Sequence, residues 1–402
     1  MSGLAAPAKI PTASIDIDPF SEEYLSDPYP HHEILRNAGP VVWLPNRVVW
    51  VTGRYAEVKA ALTDWESFCS GGGVGLANHF KEPPWRTPSI LLETDPPKHD
   101  QARAVMMRVL SPVALRDLRE RMTQEAETLV DRLLERDEIE GMAELAEAFV
   151  LKVFPDAVGL PLVGRHSLVA YGDMVFNGMG PRNALFHAAM TRLQDVLPWI
   201  TQCCDKAVLS RNGFGAQIYR AAESGGLTED EAALLVRSLL SAGVDTTVYA
   251  LGNALFCFAT HPEQWDWLRE DSSRIRGAFE EVMRYEPMFQ TFFRTTTREV
   301  VLGGTAIFAG EKVMVSIGAA NRDPRHWERP DVFDATRRAS GHLGFGTGLH
   351  ACVGQMVARL EIEIMLTALA RRVHRIEVAA PPRRMMHNVL RGFASLPLRL
   401  RQ

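Results

Sequence analysis

Five cysteines occur in the chain, Cys69, Cys203, Cys204, Cys257 and Cys352, and only the last stands among residues that could make it reactive. It ends the run His342-Leu343-Gly344-Phe345-Gly346-Thr347-Gly348-Leu349-His350-Ala351-Cys352-Val353-Gly354, a glycine-rich loop that leads into a helix expected over residues 353–373. Glycines let backbone N–H groups approach the sulfur, and the positive end of a following helix lowers a thiol's pKa, so the position suits a thiolate that ligates a metal. For a lone Gly-x-Gly, a turn with a buried cysteine would be the better account. The length and order of F-G-x-G-x-H-x-C-x-G reverse that preference. The odd cysteine count, without zinc or CxxC spacing, argues against a disulfide scaffold and suits a reducing cytoplasm.

Other groups are costly where an apolar environment is expected. Ala242-Gly243-Val244-Asp245-Thr246-Thr247 lies within a run, residues 229–258, that is apolar nearly all round. An acid and a hydroxyl there must be satisfied or used, although a Thr can also bond back to a carbonyl and bend the helix. Glu281 and Arg284 are three apart, which lets them meet on one helical face, as common surface pairs also do. In Asp95-Pro96-Pro97-Lys98-His99-Asp100-Gln101-Ala102-Arg103, His99 and Arg103 are four apart at a helix start, where a solvated first turn is the plain alternative. Arg86 and Ser89 stand in the irregular segment before it. Ser238, Ser241 and Asp245 fall on one helical stripe with Thr246 at its edge.

A mainly α scaffold with small β-sheets is expected to position these groups. With 402 residues, 46% hydrophobic composition and no linker, repeat or low-complexity tract, one large domain over residues 18–402 follows a flexible tail over 1–17. Residues 41–43 and 48–52 predict a hairpin around Pro45-Asn46, then a helix over 55–62 and a long irregular loop over 70–88. Helical periodicity fills 113–149 and 185–222. Residues 229–258 predict one central helix, which at ~1.5 Å per residue is roughly 45 Å long. Short extended runs at 300–302, 306–307 and 313–316 predict a second small sheet. Lys+Arg number 44 against 49 Asp+Glu, a net charge of -5, and no basic run provides a nucleic-acid footprint. Residues 1–18 show neither a signal pattern nor a bilayer-length apolar run, so a soluble, cytoplasmic protein without a membrane partner is expected.

The cysteine loop resembles that of the cytochromes P450, the haem-thiolate monooxygenases, and the other motifs follow in that family's order from Asp18 onwards. The resemblance implies a single haem domain holding haem b (iron protoporphyrin IX), with Cys352 as the iron ligand and Phe345 and Gly354 beside it. It implies that His99, Arg103, Arg294 and His350 pair with the haem propionates, which need charge-assisted partners inside a protein. Glu281 and Arg284 would form a buried network with Arg337. Gly243 and Thr246 would border a groove over the iron, with Asp245 and Thr246 delivering protons to bound dioxygen. A thiolate ligand pushes electron density to the iron and favours O–O cleavage.

Residues 85–97, 235–241 and 290–297 further resemble bacterial members that oxidise para-substituted benzoates. This implies a small aromatic carboxylic acid, its carboxylate met by Arg86, Ser89, Ser238 and Ser241. Its ring would lie between Leu92, Phe176, Met179, Ala242, Phe289 and Phe292. O-demethylation or benzylic hydroxylation are the reactions implied, while Met179 and Phe289 depart from those relatives and leave the para group open. Electrons would come from an iron-sulfur ferredoxin with a flavin-dependent ferredoxin reductase, docking where cations such as Arg359 surround the thiolate side. The rival enzyme readings are a terpenoid or fatty-acid hydroxylase and a peroxide-driven variant. The non-enzyme reading is a haem sensor or electron carrier, which leaves Asp245 and Thr246 without a purpose.

Overall fold

The central helix starts at a capping box. Thr228 Oγ1 accepts the Glu231 N–H at 3.2 Å, and the Glu231 carboxylate accepts the Thr228 N–H at 2.9 Å, satisfying amides that a helix N-terminus otherwise leaves open. Instead of the one helix expected over 229–258 there are two, Glu229–Ala242 and Asp245–Thr260, parted at Gly243 and Val244. Val244 sits at φ -108°, ψ -69°. The Thr246 hydroxyl donates to the Ala242 carbonyl at 2.8 Å, the acceptor that the Thr246 amide would reach in an unbroken helix. Apolar periodicity continues through the break, so the pattern alone does not reveal it. Taken together, Glu229–Thr260 is long and apolar enough to cross a membrane by length and composition, and 61% of its apolar window is buried inside the fold.

The computed structural model describes residues 13–402. The helical stretch expected over 113–149 divides into Pro112–Leu133, a wider helical turn Gly141–Glu147 and the start of Ala148–Val158. The stretch over 185–222 divides into Ala184–Met190, Leu193–Cys203 and Phe214–Ser224. Pro112–Leu133 and Ile275–Tyr285 both pack on Gln355–Arg372, the helix that continues from the cysteine loop. Of the tail expected over 1–17, residues 1–12 lie outside the described residues. Ala13 O accepts the Trp43 N–H at 3.0 Å and the Ile15 N–H donates to Trp43 O at 3.1 Å, which extends the edge of the first hairpin.

A five-stranded sheet runs in the order Val42–Leu44, Val49–Thr52, Lys312–Ser316, Thr291–Thr296, Phe68–Cys69. The first two strands form the expected hairpin, with Trp43 opposite Trp50. The strand expected at 313–316 does not join a second sheet with 300–302 and 306–307. Val300–Leu302 and Thr305–Ile307 form a separate ribbon. Lys312–Ser316 lies between Val49–Thr52, in parallel, and Thr291–Thr296, antiparallel. Every residue of that strand is buried, as a largely apolar strand covered on both faces should be. Its one charged residue, Lys312, donates to Gly73 O at 2.6 Å and Thr295 Oγ1 at 3.2 Å, and so ties the start of the irregular segment to the sheet.

Behind the cysteine loop, Arg284 Nε and Nη2 donate to Glu281 at 2.7 and 2.8 Å, and its other bonds reach the carbonyls of Asn321, Pro330 and Val332. Arg337 Nε meets the same carboxylate at 3.2 Å, and the Asp334 N–H donates to it at 3.0 Å. Both Glu281 and Arg284 side chains are 0% exposed. Glu281→Ala strands the guanidinium in an apolar interior and is expected to cost about 3–5 kcal/mol. The check is a thermal melt, in which an unchanged midpoint would contradict this assignment.

Candidate active site

Cys352 follows the short turn Gly348–His350 and precedes Gly354, the residue that opens the helix Gln355–Arg372. Its N–H donates to Phe345 O at 2.8 Å, and the Gly346 N–H to Leu343 O at 2.8 Å, which folds the loop back on itself. Gly348 has φ +69°, and a Cβ there would lie 2.9 Å from the Leu62 carbonyl, so the loop seats on the early helix Tyr55–Thr63 only without a side chain. The thiol faces a cavity that Phe345, Gly354, His350, Arg103 and Arg294 also line. Burial pushes the Cys352 thiol up, opposed by the Gly354 and Gln355 N–H groups and by the charges of Arg103 and Arg359.

Arg103 and Arg294 reach this cavity with no acid bonded to them. Arg103 Nη1 donates only to Ala351 O, at 2.8 Å, and Arg294 Nη1 only to Phe293 O, at 2.9 Å. Burial lowers both guanidinium pKa values, that of Arg294 to about 10. His99 is fully buried, with its ring 4.4 Å from that of His350, and Nε2 of each ring has no hydrogen-bond partner. His99 Nδ1 meets the Asp100 carboxylate at 3.1 Å, whereas the acid beside His350, Asp95, is 3.8 Å from Nε2 and already accepts the Ser70 and Gly71 N–H groups. Buried cations and orphaned donors beside a thiol fit a prosthetic group that carries two carboxylates and needs one sulfur ligand.

Opposite the thiol, the helix break brings Ala242, Gly243, Thr246 and Thr247 to the cavity wall. Asp245 is not on that wall. Its carboxyl turns toward the helix Ser167–Asn177, where a Cβ on Gly172 would stand 2.2 Å from Oδ2, so glycine is what leaves it room. Burial, with Asp173 and Glu147 nearby, holds the Asp245 carboxyl well above the usual carboxylate range, and Oδ1 has no partner. On sequence alone Asp245 shares a stripe with Ser238 and Ser241. The break at Gly243 turns it away from them.

Above the break, Arg86, Ser89, Leu92, Phe176, Met179, Ser238, Ser241, Phe289 and Phe292 all line the same cavity. The Phe289 and Phe292 rings stack at 4.3 Å, and Phe176 meets Phe289 edge-on at 5.1 Å, which builds a flat apolar wall. The hydroxyls differ from expectation in being satisfied within the chain. Ser238 Oγ donates to Leu234 O at 3.0 Å and lies 3.1 Å from Ser89 Oγ, while Ser241 Oγ donates to Ser238 O at 3.2 Å. Arg86 likewise has an acidic neighbour that the sequence did not single out, Glu93, 2.9 Å from Nη1. Its Nε remains buried without a partner.

Also unexpected from sequence is Glu361, on the cysteine helix and at the cavity edge beside Thr247. Burial pushes its carboxyl up to about 8 against the lowering effect of the Thr247 hydroxyl. It alternates with Arg359 and Glu363 along that helix, so its type alone gives no distinct sequence signal. Arg359, expected among the docking cations, is occupied instead. It holds Glu280 through Nε at 2.6 Å and Nη2 at 2.8 Å and covers the Phe345 ring at 4.3 Å.

A family model described as Cytochrome P450 matches residues 164–399. Cytochrome p450 CYP199A2 of Rhodopseudomonas palustris is 50% identical over 387 residues, covering 96% of this chain and 94% of that protein. A beta-dihydromenaquinone-9 omega-hydroxylase of Mycobacterium tuberculosis is 30% identical, covering 95% of this chain and 78% of its own. The solved structure of cytochrome P450 CYP109Q5 from Chondromyces apiculatus aligns with a TM-score of 0.81 at 28% identity, over 97% of this chain and 98% of that one.

Glu280 provides a test of how the loop is braced. The Gly344 N–H donates to His342 Nδ1 at 3.0 Å, so Nε2 carries the proton that points at Glu280, 2.9 Å away. Burial would raise this carboxyl, but Arg359 and His342 hold it at about 2, against 4.5 in the absence of such partners. A depressed folded-state pKa adds stability above about pH 4.5 that is lost as the pH falls toward 2, on the order of 3 kcal/mol. Glu280→Gln is expected to lower the melting temperature at pH 7 and to flatten its decline through that acid window. A variant with the wild-type slope would show that Glu280 is not strongly coupled.

Proposed function

The chain belongs to the cytochrome P450 family and is a haem b monooxygenase, and from that premise we propose that it oxidises a small aromatic carboxylic acid, a para-substituted benzoate. The observation that carries the proposal is the buried, unpaired Nε of Arg86, a residue lining a chamber that also presents the stacked wall of Phe289, Phe292 and Phe176. A buried guanidinium donor without an acceptor is costly, and a ligand carboxylate is the group that best meets it. The stacked Phe289 and Phe292, with Phe176 edge-on and Met179 and Leu92 beside them, suit a flat ring whose para substituent is presented to the reacting centre. O-demethylation of an alkoxybenzoate and benzylic hydroxylation of an alkylbenzoate are the reactions this orientation favours.

Haem, held in this family by a cysteine thiolate, supplies the activation of dioxygen and the transfer of one oxygen atom. In the proposed arrangement Cys352 is that thiolate, and its proton is lost on ligation. Arg103, Arg294, His99 and His350 would hold the propionates, the two guanidiniums supplying the buried donors that lack an acid in the chain. Phe345 and Gly354 line the cavity beside the sulfur and would flank the cofactor there. Asp245 keeps a proton on its carboxyl because burial disfavours the charged form. Thr246, whose hydroxyl rests on the Ala242 carbonyl, borders the chamber and can pass a proton inward when that bond is exchanged. The two electrons are assigned to an iron-sulfur ferredoxin and its flavin-dependent reductase, and the setting to the cytoplasm.

Titration of the ferric holoenzyme with 4-methoxybenzoate is expected to give a low- to high-spin shift, and its methyl ester a much weaker one. Equal binding of acid and ester would sink the carboxylate assignment. Arg86→Leu is expected to weaken the acid by about tenfold or more, while neutral ligands change little. Product analysis of 4-methoxybenzoate and 4-methylbenzoate turnover with a reconstituted ferredoxin chain then tests O-demethylation and benzylic hydroxylation separately.

A further inference from the structure

Glu93 lies in the segment 85–97 without a role drawn from the sequence, yet one of its oxygens joins two residues placed at the substrate carboxylate. Oε2 accepts the Ser89 N–H at 2.7 Å and lies 2.9 Å from Arg86 Nη1. Its side chain is 7% exposed and that of Arg86 16%, so the contact is sheltered from the screening that weakens surface pairs. Arg86 Nη1 also donates to the Thr87 carbonyl at 2.9 Å. The guanidinium is thus gripped at one end, while Nε is left buried with no acceptor.

We propose that Glu93 is a positioning residue for acid recognition, fixing Arg86 through Nη1 and Ser89 through its amide so that the free Nε edge of the guanidinium is presented to a ligand carboxylate. This rests on the carboxylate reading of the chamber given above. Three features favour positioning over competition for the site. Glu93 engages Arg86 at one nitrogen, not in the two-point fork that a carboxylate forms when it saturates the group. The same oxygen is held by the Ser89 amide, so it does not swing freely. Ser89 Oγ in turn lies 3.1 Å from Ser238 Oγ, which connects the grip to the central helix.

Arg86 and Glu93 also border a second cavity, on the side of His79, Glu82 and Trp85. The pair therefore forms part of the wall between two spaces. An arginine tethered only by the Thr87 carbonyl could turn toward either, whereas the Glu93 contact selects one orientation. Other titratable or charged groups near the pair are His79, Glu82, Tyr171, Arg237 and the buried Lys312, which also senses Glu93. His79 and Tyr171 both sense Glu93 and Arg86. Arg237 Nη2 donates to the Thr87 and Pro88 carbonyls at 2.8 and 3.3 Å and remains a second cation when Glu93 and a ligand acid are both charged.

The experiment compares 4-methoxybenzoate and its methyl ester by spectral titration of the holoenzyme in the wild type, E93Q, R86A and the R86A/E93Q double variant. E93Q is expected to raise the acid's dissociation constant roughly tenfold, the scale of one charge-assisted hydrogen bond, with the ester within about twofold. In the R86A background E93Q is expected to add nothing, because its effect acts through the guanidinium. Tighter acid binding in E93Q would make Glu93 a competitor and overturn the proposal. So would an equal loss for acid and ester, which marks a packing defect, or an E93Q effect that persists without Arg86. A wild type that fails to separate acid from ester defeats the carboxylate reading itself. A wild type that separates them and an E93Q that does so equally well defeats only the role of Glu93.

Discussion

A guanidinium cannot be buried without company, and this constraint organises the molecule on both sides of Cys352. Arg284 has its company within the chain, from Glu281 and the carbonyls of Asn321, Pro330 and Val332, and the result is a rigid brace. Among the described residues, Arg103 and Arg294 have one carbonyl each and no acid, and in the proposed arrangement the carboxylates of the cofactor would meet that deficit. Arg86 is intermediate, held at one nitrogen and open at another. Under the proposed function the same residue type would serve as framework, cofactor site and ligand site according to how many of its donors the fold has already filled.

The acids follow the complementary rule. Glu280, between Arg359 and His342, is held low. Asp245 and Glu361, which have no cation beside them, are pushed up by burial. Carboxyl groups close to the cysteine loop thus act as fixed charges, while those near the helix break are in a condition to carry protons. The contrast comes from the distribution of arginines, since both kinds of acid are largely withdrawn from water.

Local features of the site were legible in the sequence. The cysteine loop is contiguous, so its glycines and the following helix could be read directly, and Glu281 and Arg284 are one helical turn apart. The wall residues could be placed only through family resemblance, because they come from separated segments with no shared period. The helix break was hidden because Leu239, Leu240, Val244 and Val248 keep the apolar pattern across it. Glu93 was missed for a different reason. It lies in an irregular segment where side-chain direction has no period, so its contact with Arg86 depends on the loop path. The misplaced strand, Lys312–Ser316, was recognised as extended, but its neighbour Val49–Thr52 lies far away in sequence and pairing across such a distance leaves no local mark.

That strand also determines the order in which the molecule can be completed. Arg294 lies on Thr291–Thr296, which is aligned on one side by Lys312–Ser316 and at its other edge by Phe68–Cys69. The hairpin made first during synthesis gains its parallel neighbour only after most of the chain has emerged. Closing a loop of that length is entropically slow, and pairings of high sequence separation form late. The helix that carries Asp245 and Thr246 is no more local, since it packs on Gly141–Glu147 and on Arg375–Val378. Both the cationic side of the cofactor pocket and its roof thus depend on pairings between distant parts of the chain, the kind of contact that is slow to form.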